Sequence, residues 1–169
     1  MTGSDVEVDL WRFAISVYGA EGVSEDCLKL QERFGVDVPM ILCTLWMATR
    51  GNVLDPDGMA RLAVAVGPWH DEVVKALREV RRRLKSGPAP APNDRTEIIR
   101  NAVKAAEVNA ERLELAVLAE LVEAEFAPGA AVLPAQNLAV ALAHYAGRPV
   151  GDEAPLDRLS RAAEAAAKG

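Results

Sequence analysis

The sequence feature that most constrains the fold is the stretch 94–126, in which apolar residues recur every three or four positions. These residues are Ile99, Val103, Ala106, Ala110, Leu113, Val117 and Leu121. Their spacing is that of one face of an α-helix, and it does not fit the two-residue alternation of a strand. At about 1.5 Å per residue, such a helix would be roughly 45–50 Å long, which exceeds what a small core requires. We therefore expect a long helix that reaches out to pair with another helix.

The other segments are predicted to form shorter helices that glycine and proline separate. Ser24 is expected to cap the second helix, and Gly35 is expected to end it. Asp37 looks like the cap of the third helix, and Met40–Met47 is apolar on nearly all sides apart from Thr44. The third helix should therefore be the central and most buried one, with the first five helices packed around it.

No segment alternates like a strand, so the predicted fold is all-α: a helical bundle of about six to eight helices, with one long helix in the C-terminal half. Gly67 and Pro68 are expected to separate a fourth helix from a fifth. The clearest boundary is the Pro- and Ala-rich linker 87–93. It divides an N-terminal helical core, 5–86, from 94–169, which contains the long helix and C-terminal helices that pack on that core. At 169 residues the whole is expected to form one domain.

Composition and charge exclude several classes of protein. A net charge of -6 and an isoelectric point near 5.0 argue against general nucleic-acid binding, because that requires a surplus of Lys and Arg. No apolar run reaches the length of about 18 residues that a membrane span needs, and the N-terminus lacks the pattern of a secretory signal. Cys27 and Cys43 both lie in apolar helical patterns, which indicates buried thiols in a reducing compartment. We therefore expect a cytoplasmic protein.

The sequence shows no catalytic set, so we expect a non-enzymatic protein without a cofactor. His70 and His144 lack ligand-type neighbours at helical spacing, which argues against a metal site. The two cysteines have no adjacent base, and no glycine-rich loop has the spacing that binds phosphate. The close pair Asp55 and Asp57 lies at a helix start, where capping accounts for it.

Two surfaces remain as candidates for binding. The first is a small polar pocket with aromatic walls between the first three helices, formed by Trp11, Tyr18, Gln31, Thr44 and Trp46. The alternative is that the polar members of this set satisfy helix ends or one another.

The second is a basic stripe on the fifth helix, formed by Lys75, Arg78, Arg82 and Lys85 and extended by Arg81 and Arg83. Because the linker is short, the fifth and sixth helices can form a hairpin in which the stripe faces Glu107, Glu111 and Glu114. Alternatively, the stripe is open to an acidic protein, to an anion such as phosphate, or to a nucleic acid.

Three blocks of the sequence resemble a family of small proteobacterial proteins known only as a domain of unknown function. They are LWRFAISVYGAEGVSEDCLKLQERFGVDVPMILCTLW, WHDEVVKALREVRRRLK and KAAEVNAERLE, and together they cover about residues 10–120. The sequence departs from the expected family pattern at Pro39, where the family has Asn. The resemblance implies a helical bacterial protein and carries no activity, cofactor or site residue with it.

Two functions follow as expectations. The first is a protein-interaction module, an adaptor or regulator of the bacterial cytoplasm, which binds a protein partner or associates with itself through residues 99–121. The alternative is a helical protein that binds a small molecule or lipid in the pocket near Trp46.

Overall fold

The computed structural model describes residues 3–129, 131–151 and 155–168. These residues form eight α-helices and no strand: α1 (Gly3–Tyr18), α2 (Val23–Phe34), α3 (Val38–Thr49), α4 (Pro56–Trp69), α5 (Lys75–Leu84), α6 (Asp94–Glu125), α7 (Pro134–Ala146) and α8 (Leu156–Ala166). The all-α prediction is confirmed, as is the single long helix, because α6 has 32 residues. None of the helices in the described part of the chain combines the length and the hydropathy that a membrane span requires.

Most helix ends lie where glycine and capping residues place them. Gly35 and Gly147 follow α2 and α7 in the left-handed conformation, with φ of 67° and 66°, which glycine adopts without a steric penalty. Asp37 Oδ1 accepts a hydrogen bond from Met40 N at 3.3 Å and so caps α3. The predicted cap at Ser24 is wrong: the N-cap is Gly22, which makes no side-chain capping bond, and Ser24 already lies in the first turn.

The predicted break at Gly67 and Pro68 is also wrong. The helical conformation continues through both residues into a π turn, His70–Val74, and then directly into α5. Proline removes one donor from a helix, but its fixed φ is still helical. In the π turn each backbone N–H donates to the carbonyl five residues earlier, as Lys75 N does to His70 O. The π turn begins two residues after Pro68.

The chain divides into two compact units. Unit 1 comprises Met1–Ala65 and Leu115–Gly169, and unit 2 comprises Val66–Glu114. The Pro- and Ala-rich linker 87–93 lies inside unit 2, where it joins α5 to α6. Helices α4 and α6 each contribute residues to both units.

Unit 1 is built around α3. Ten consecutive residues of this helix, Pro39–Ala48, are buried, because α3 is apolar on almost every side. It packs against α1, α7 and α8. The central position of α3 matches the sequence prediction, and its neighbours include the C-terminal helices α7 and α8 as well as α1.

A buried amide joins α7 to the end of α3 in unit 1. The Asn137 side chain donates from Nδ2 to Thr44 O at 3.2 Å and to Asn52 O at 2.9 Å. Its Oδ1 accepts from Leu54 N at 3.0 Å. One side chain therefore satisfies three backbone groups that cannot reach water, and it fixes the loop between α3 and α4.

Candidate interaction surface

The residues of the predicted pocket lie in unit 1 with very different exposures. Trp46 is buried, and its Nε1 donates to Asp9 Oδ2 at 3.0 Å. Thr44 is also buried, and its hydroxyl donates to Ile41 O at 2.9 Å within the same helix. Trp11 and Gln31 are half-buried and Tyr18 is exposed. Both buried members therefore have hydrogen-bond partners within unit 1.

An open cavity of about 390 Å³ lies elsewhere in unit 1. None of the five predicted pocket residues lines it; its walls are Pro56, Ala139, Val140, Ala143, His144, Pro149 and Val150. The volume is in the range of small-molecule sites, and His144 supplies the one imidazole among apolar groups. Sequence reasoning did not find this cavity, because its walls come from α7, the start of α4 and the segment after α7.

The basic stripe of α5 is partly neutralised inside unit 2. Lys75 Nζ lies 2.6 Å from Asp71 Oδ1, and this hydrogen bond lowers the pKa of Asp71. Arg78 donates to Glu107 at 2.9 Å and to Glu111 at 2.6 Å, which is the arrangement that the hairpin alternative describes. Arg82 and Lys85 are exposed, as is Arg83, and the structure shows no ion pair for them among the residues it describes.

Glu107 is the centre of the ion pairs between α5 and α6. It is only 5% exposed, and both Arg78 and Arg81 donate to its carboxylate. Burial raises its pKa, but the hydrogen bonds from Arg81 and Arg78 outweigh burial, so the pKa of Glu107 is lowered. The hairpin is thus held by a charged cluster that remains ionised at neutral pH.

A second polar contact of unit 2 joins the π turn to α6. His70 Nδ1 lies 3.2 Å from Glu114 Oε2, and both side chains are buried. Next to it, Trp69 Nε1 donates to Ala110 O at 3.0 Å. Glu114 is one of the three glutamates predicted to face the basic stripe, and the structure shows its carboxylate in contact with His70.

The opposite side of α6 in unit 2 is apolar and exposed. We define the α6 stripe as seven exposed residues within an arc of about 120° on the helix: Ile98, Ile99, Ala102, Ala105, Ala106, Asn109 and Leu113. Ile98 is 72% exposed, Ile99 54% and Leu113 52%. The side that unit 2 buries carries Glu107 and the 1% exposed Glu114. This polarity is the reverse of that in an ordinary surface helix, which buries its apolar side.

Unit 2 has almost no hydrophobic core. Of the 34 buried hydrophobic residues in the described part of the chain, three lie in this unit: Val66, Val74 and Ala110. Helix α5 has no buried residue at all. Ion pairs and the contacts of Trp69 and His70 therefore contribute to holding the hairpin together. Ile98, Ile99 and Leu113 are exposed, and Leu77 and Leu84 are half-buried.

Both thiols are inert in this fold. Cys27 and Cys43 are free and buried in unit 1. Burial, together with the nearby Asp26 carboxylate, raises the pKa of Cys27 to about 12. Burial also raises the pKa of Cys43, with a smaller contribution from Asp37. Because the thiolate is the reactive form, neither cysteine is a nucleophile at neutral pH.

Comparison with known proteins identifies a family and no relative with an assigned role. No curated protein and no solved structure matches the chain. A family model does match, over residues 9–118, which span α1 to most of α6 and include all of unit 2. The chain therefore belongs to the family described as protein of unknown function DUF2390.

Proposed function

We propose that the protein is a non-enzymatic interaction module that binds a protein helix through the α6 stripe. The observation that carries this proposal is the reversed polarity of α6, with Ile98, Ile99 and Leu113 outward and Glu107 and Glu114 inward. Soluble proteins rarely expose a continuous apolar patch of several hundred Å² unless it binds something. A partner helix with an apolar face would remove this patch from water.

The composition of the α6 stripe indicates what kind of surface a partner must present. Its seven residues carry no charge, and Asn109 is the only polar one, while the exposed Arg95 continues the same side of the helix one turn before Ile98. A complementary surface is therefore an uncharged apolar face, such as one side of an amphipathic helix. The two free thiols support a reducing compartment, and we place this adaptor or regulator in the bacterial cytoplasm.

The test compares partner capture by three versions of the full-length protein. A double substitution, Ile99→Lys with Leu113→Lys, places two charges in the stripe and should abolish capture of any protein that the unchanged chain retains from its own cells. Both positions are more than half exposed, so circular dichroism and melting should stay unchanged. The control is Val64→Lys, which places the same charge at a residue of α4 that is 77% exposed and outside the stripe.

Two results would contradict the proposal. Capture of the same proteins by the double variant would show that the stripe is not the binding surface. Equal loss of capture with Val64→Lys would show that any added surface charge disrupts binding, regardless of the stripe.

A second candidate function is the binding of a small apolar molecule, which the 390 Å³ cavity of unit 1 supports. Native mass spectrometry of the purified protein should then show a bound molecule. Filling the cavity with Val140→Trp should remove that molecule, and Val64→Trp should not. A spectrum of the bare chain, with no change in melting when fatty acids or hydrophobic metabolites are added, would exclude this candidate.

A further inference from the structure

Large and small side chains follow a symmetrical order along the α6 stripe. Ile98 and Ile99 stand at one end and Leu113 at the other, while Ala102, Ala105 and Ala106 occupy the middle. Reversing the direction of the helix about Ala106 exchanges the levels of Ile99 and Leu113 and returns Ala106 to its own level, whereas Ile98 and Asn109 have no stripe residue at the matching level. A surface of this kind matches a second copy of itself related by a two-fold axis, which is the geometry of an isologous dimer.

We propose that the occupant of the α6 stripe is the α6 stripe of a second copy, with the two helices antiparallel. This inference rests on the proposed function and names its partner. In the dimer, Ile99 of each copy lies level with Leu113 of the other, and Ala106 lies opposite itself. The small residues in the middle allow the two helices to approach closely, while the large residues at the ends pack against each other.

The available area fits a weak dimer. Ile98, Ile99 and Leu113 are each more than half exposed, and the four other stripe residues are small and exposed as well. A surface of this size places the dimer near the lower limit for a specific interface, about 1,000 Å² in total. We therefore expect dissociation in the micromolar range, with a monomer at high dilution.

Charge selects the antiparallel direction over the parallel one. The end of unit 2 at the linker carries more exposed cations than anions: Arg82, Arg83, Lys85 and Arg95 against Asp94 and Glu97. In a parallel dimer the two basic ends would lie side by side and repel each other. The antiparallel dimer separates them and directs each toward the end of the partner where Asp71 and Glu72 are exposed.

Cysteine cross-linking of the full chain tests both the surface and the direction. The two native thiols are buried, so single introduced cysteines are the ones that react. Ala106→Cys should form a disulfide-linked dimer under mild oxidation. Ile99→Cys and Leu113→Cys should each stay monomeric when alone and should form a linked dimer when mixed. Val64→Cys is the control and should stay unlinked.

Sedimentation equilibrium supplies the second measurement. The unchanged chain should approach twice its 18.1 kDa mass at about 200 μM, and Ile99→Lys with Leu113→Lys should raise the dissociation constant at least about 10-fold.

Linked dimers of Ile99→Cys alone and of Leu113→Cys alone would overturn the antiparallel direction. A monomer at all concentrations would overturn the inference, yet stripe-dependent capture of another protein would leave the proposed function intact. A dimer that the double substitution does not weaken would overturn the inference, and stripe-independent capture would overturn the proposed function separately.

Discussion

At the scale of single residues, polar side chains decide how the ends of the unit 1 helices are joined. Asn137 is 1% exposed and serves three backbone groups from two different segments. An apolar residue at this position would leave a buried N–H and two carbonyls without that partner, and each buried unsatisfied group costs about 1–3 kcal/mol. The periodicity of α7 identifies position 137 as an inward one but gives no reason for an amide there.

Asn137→Ala should lower the free energy of unfolding by about 3 kcal/mol, because it removes three buried hydrogen bonds and leaves a small cavity. Urea denaturation followed by circular dichroism measures the change. The matched control is Asn101→Ala in α6, where the side chain is exposed and the expected change is within about 0.5 kcal/mol. Equal effects of the two substitutions would show that the Asn137 hydrogen bonds contribute nothing to stability.

The thiols provide a prediction about reactivity and pH. At pH 8 an aromatic disulfide reagent should detect no thiol in the folded protein and two in guanidinium chloride, because both cysteines are buried and protonated. The pKa of Cys27 is about 12 in the folded chain against an ordinary value of 9.0. Its contribution to stability is therefore complete below pH 9 and is lost as the pH rises from 9 through 12. Rapid modification of the folded protein at pH 8 would contradict this assignment.

At the scale of elements, sequence reasoning located the helices well because their boundaries depend on local chemistry. Gly35 and Asp37 act within one turn of the chain, and their roles were readable without knowledge of the fold. Pro68 was misread, since a π turn two residues later lets the helix continue. Periodicity was also correct for α6 in grouping Ile99, Ala106 and Leu113 on one side of the helix. Periodicity does not indicate which side of the helix is buried against the rest of the protein.

The candidate surfaces were less predictable than the helices, because they depend on which elements meet. The predicted stripe of α5 contains both Arg78, which is bound to two glutamates, and Arg82, which is exposed without an ion pair in the described structure. Spacing alone cannot separate these two arginines. The cavity beside His144 is lined by residues that are about ninety positions apart in the sequence. No local sequence pattern predicts that such distant residues lie side by side.

The ion pairs between α5 and α6 give a prediction for this pair of elements. Arg78→Ala should destabilise the hairpin by about 2 kcal/mol, because it leaves the buried Glu107 with only Arg81 as a cationic partner. Arg82→Ala should change the stability by less than about 0.5 kcal/mol, since Arg82 is exposed. Hydrogen exchange of the α5 amides measures both effects. An equal response of the two variants would rule out a stabilising role for the Arg78 contacts.

The same cluster makes the hairpin sensitive to acid. Because the pKa of Glu107 is lowered in the folded chain, its contribution is present above its ordinary value of 4.5 and is lost as the pH falls through the lowered one. Between pH 6 and pH 3 the unchanged chain should therefore lose more α5 protection than a Glu107→Gln variant loses. Parallel pH profiles for the two proteins would contradict the role of the Glu107 charge.

At the scale of the whole molecule, the two units differ in what stabilises them. Unit 1 holds almost all of the buried hydrophobic residues, including those of α3 from Met40 to Ala48. Unit 2 has three buried hydrophobic residues and several ion pairs, and it exposes Ile98, Ile99 and Leu113. Hydrophobic burial is the largest favourable contribution to folding, so the hairpin should open at a much lower free energy than the core of unit 1.

Hydrogen exchange at two protein concentrations connects this difference to function. At low micromolar concentration, amides of α5 and of residues 94–114 should exchange with an opening free energy at least about 2 kcal/mol below that of α3. Raising the concentration to several hundred micromolar should protect residues 94–114, because a dimer buries the α6 stripe and binding stabilises the state that binds. Amides of α3 should not respond, since their exchange already requires the core of unit 1 to open. Uniform protection of both units at both concentrations would mean that the hairpin is stable without a partner, and the exposed isoleucines would then need another explanation.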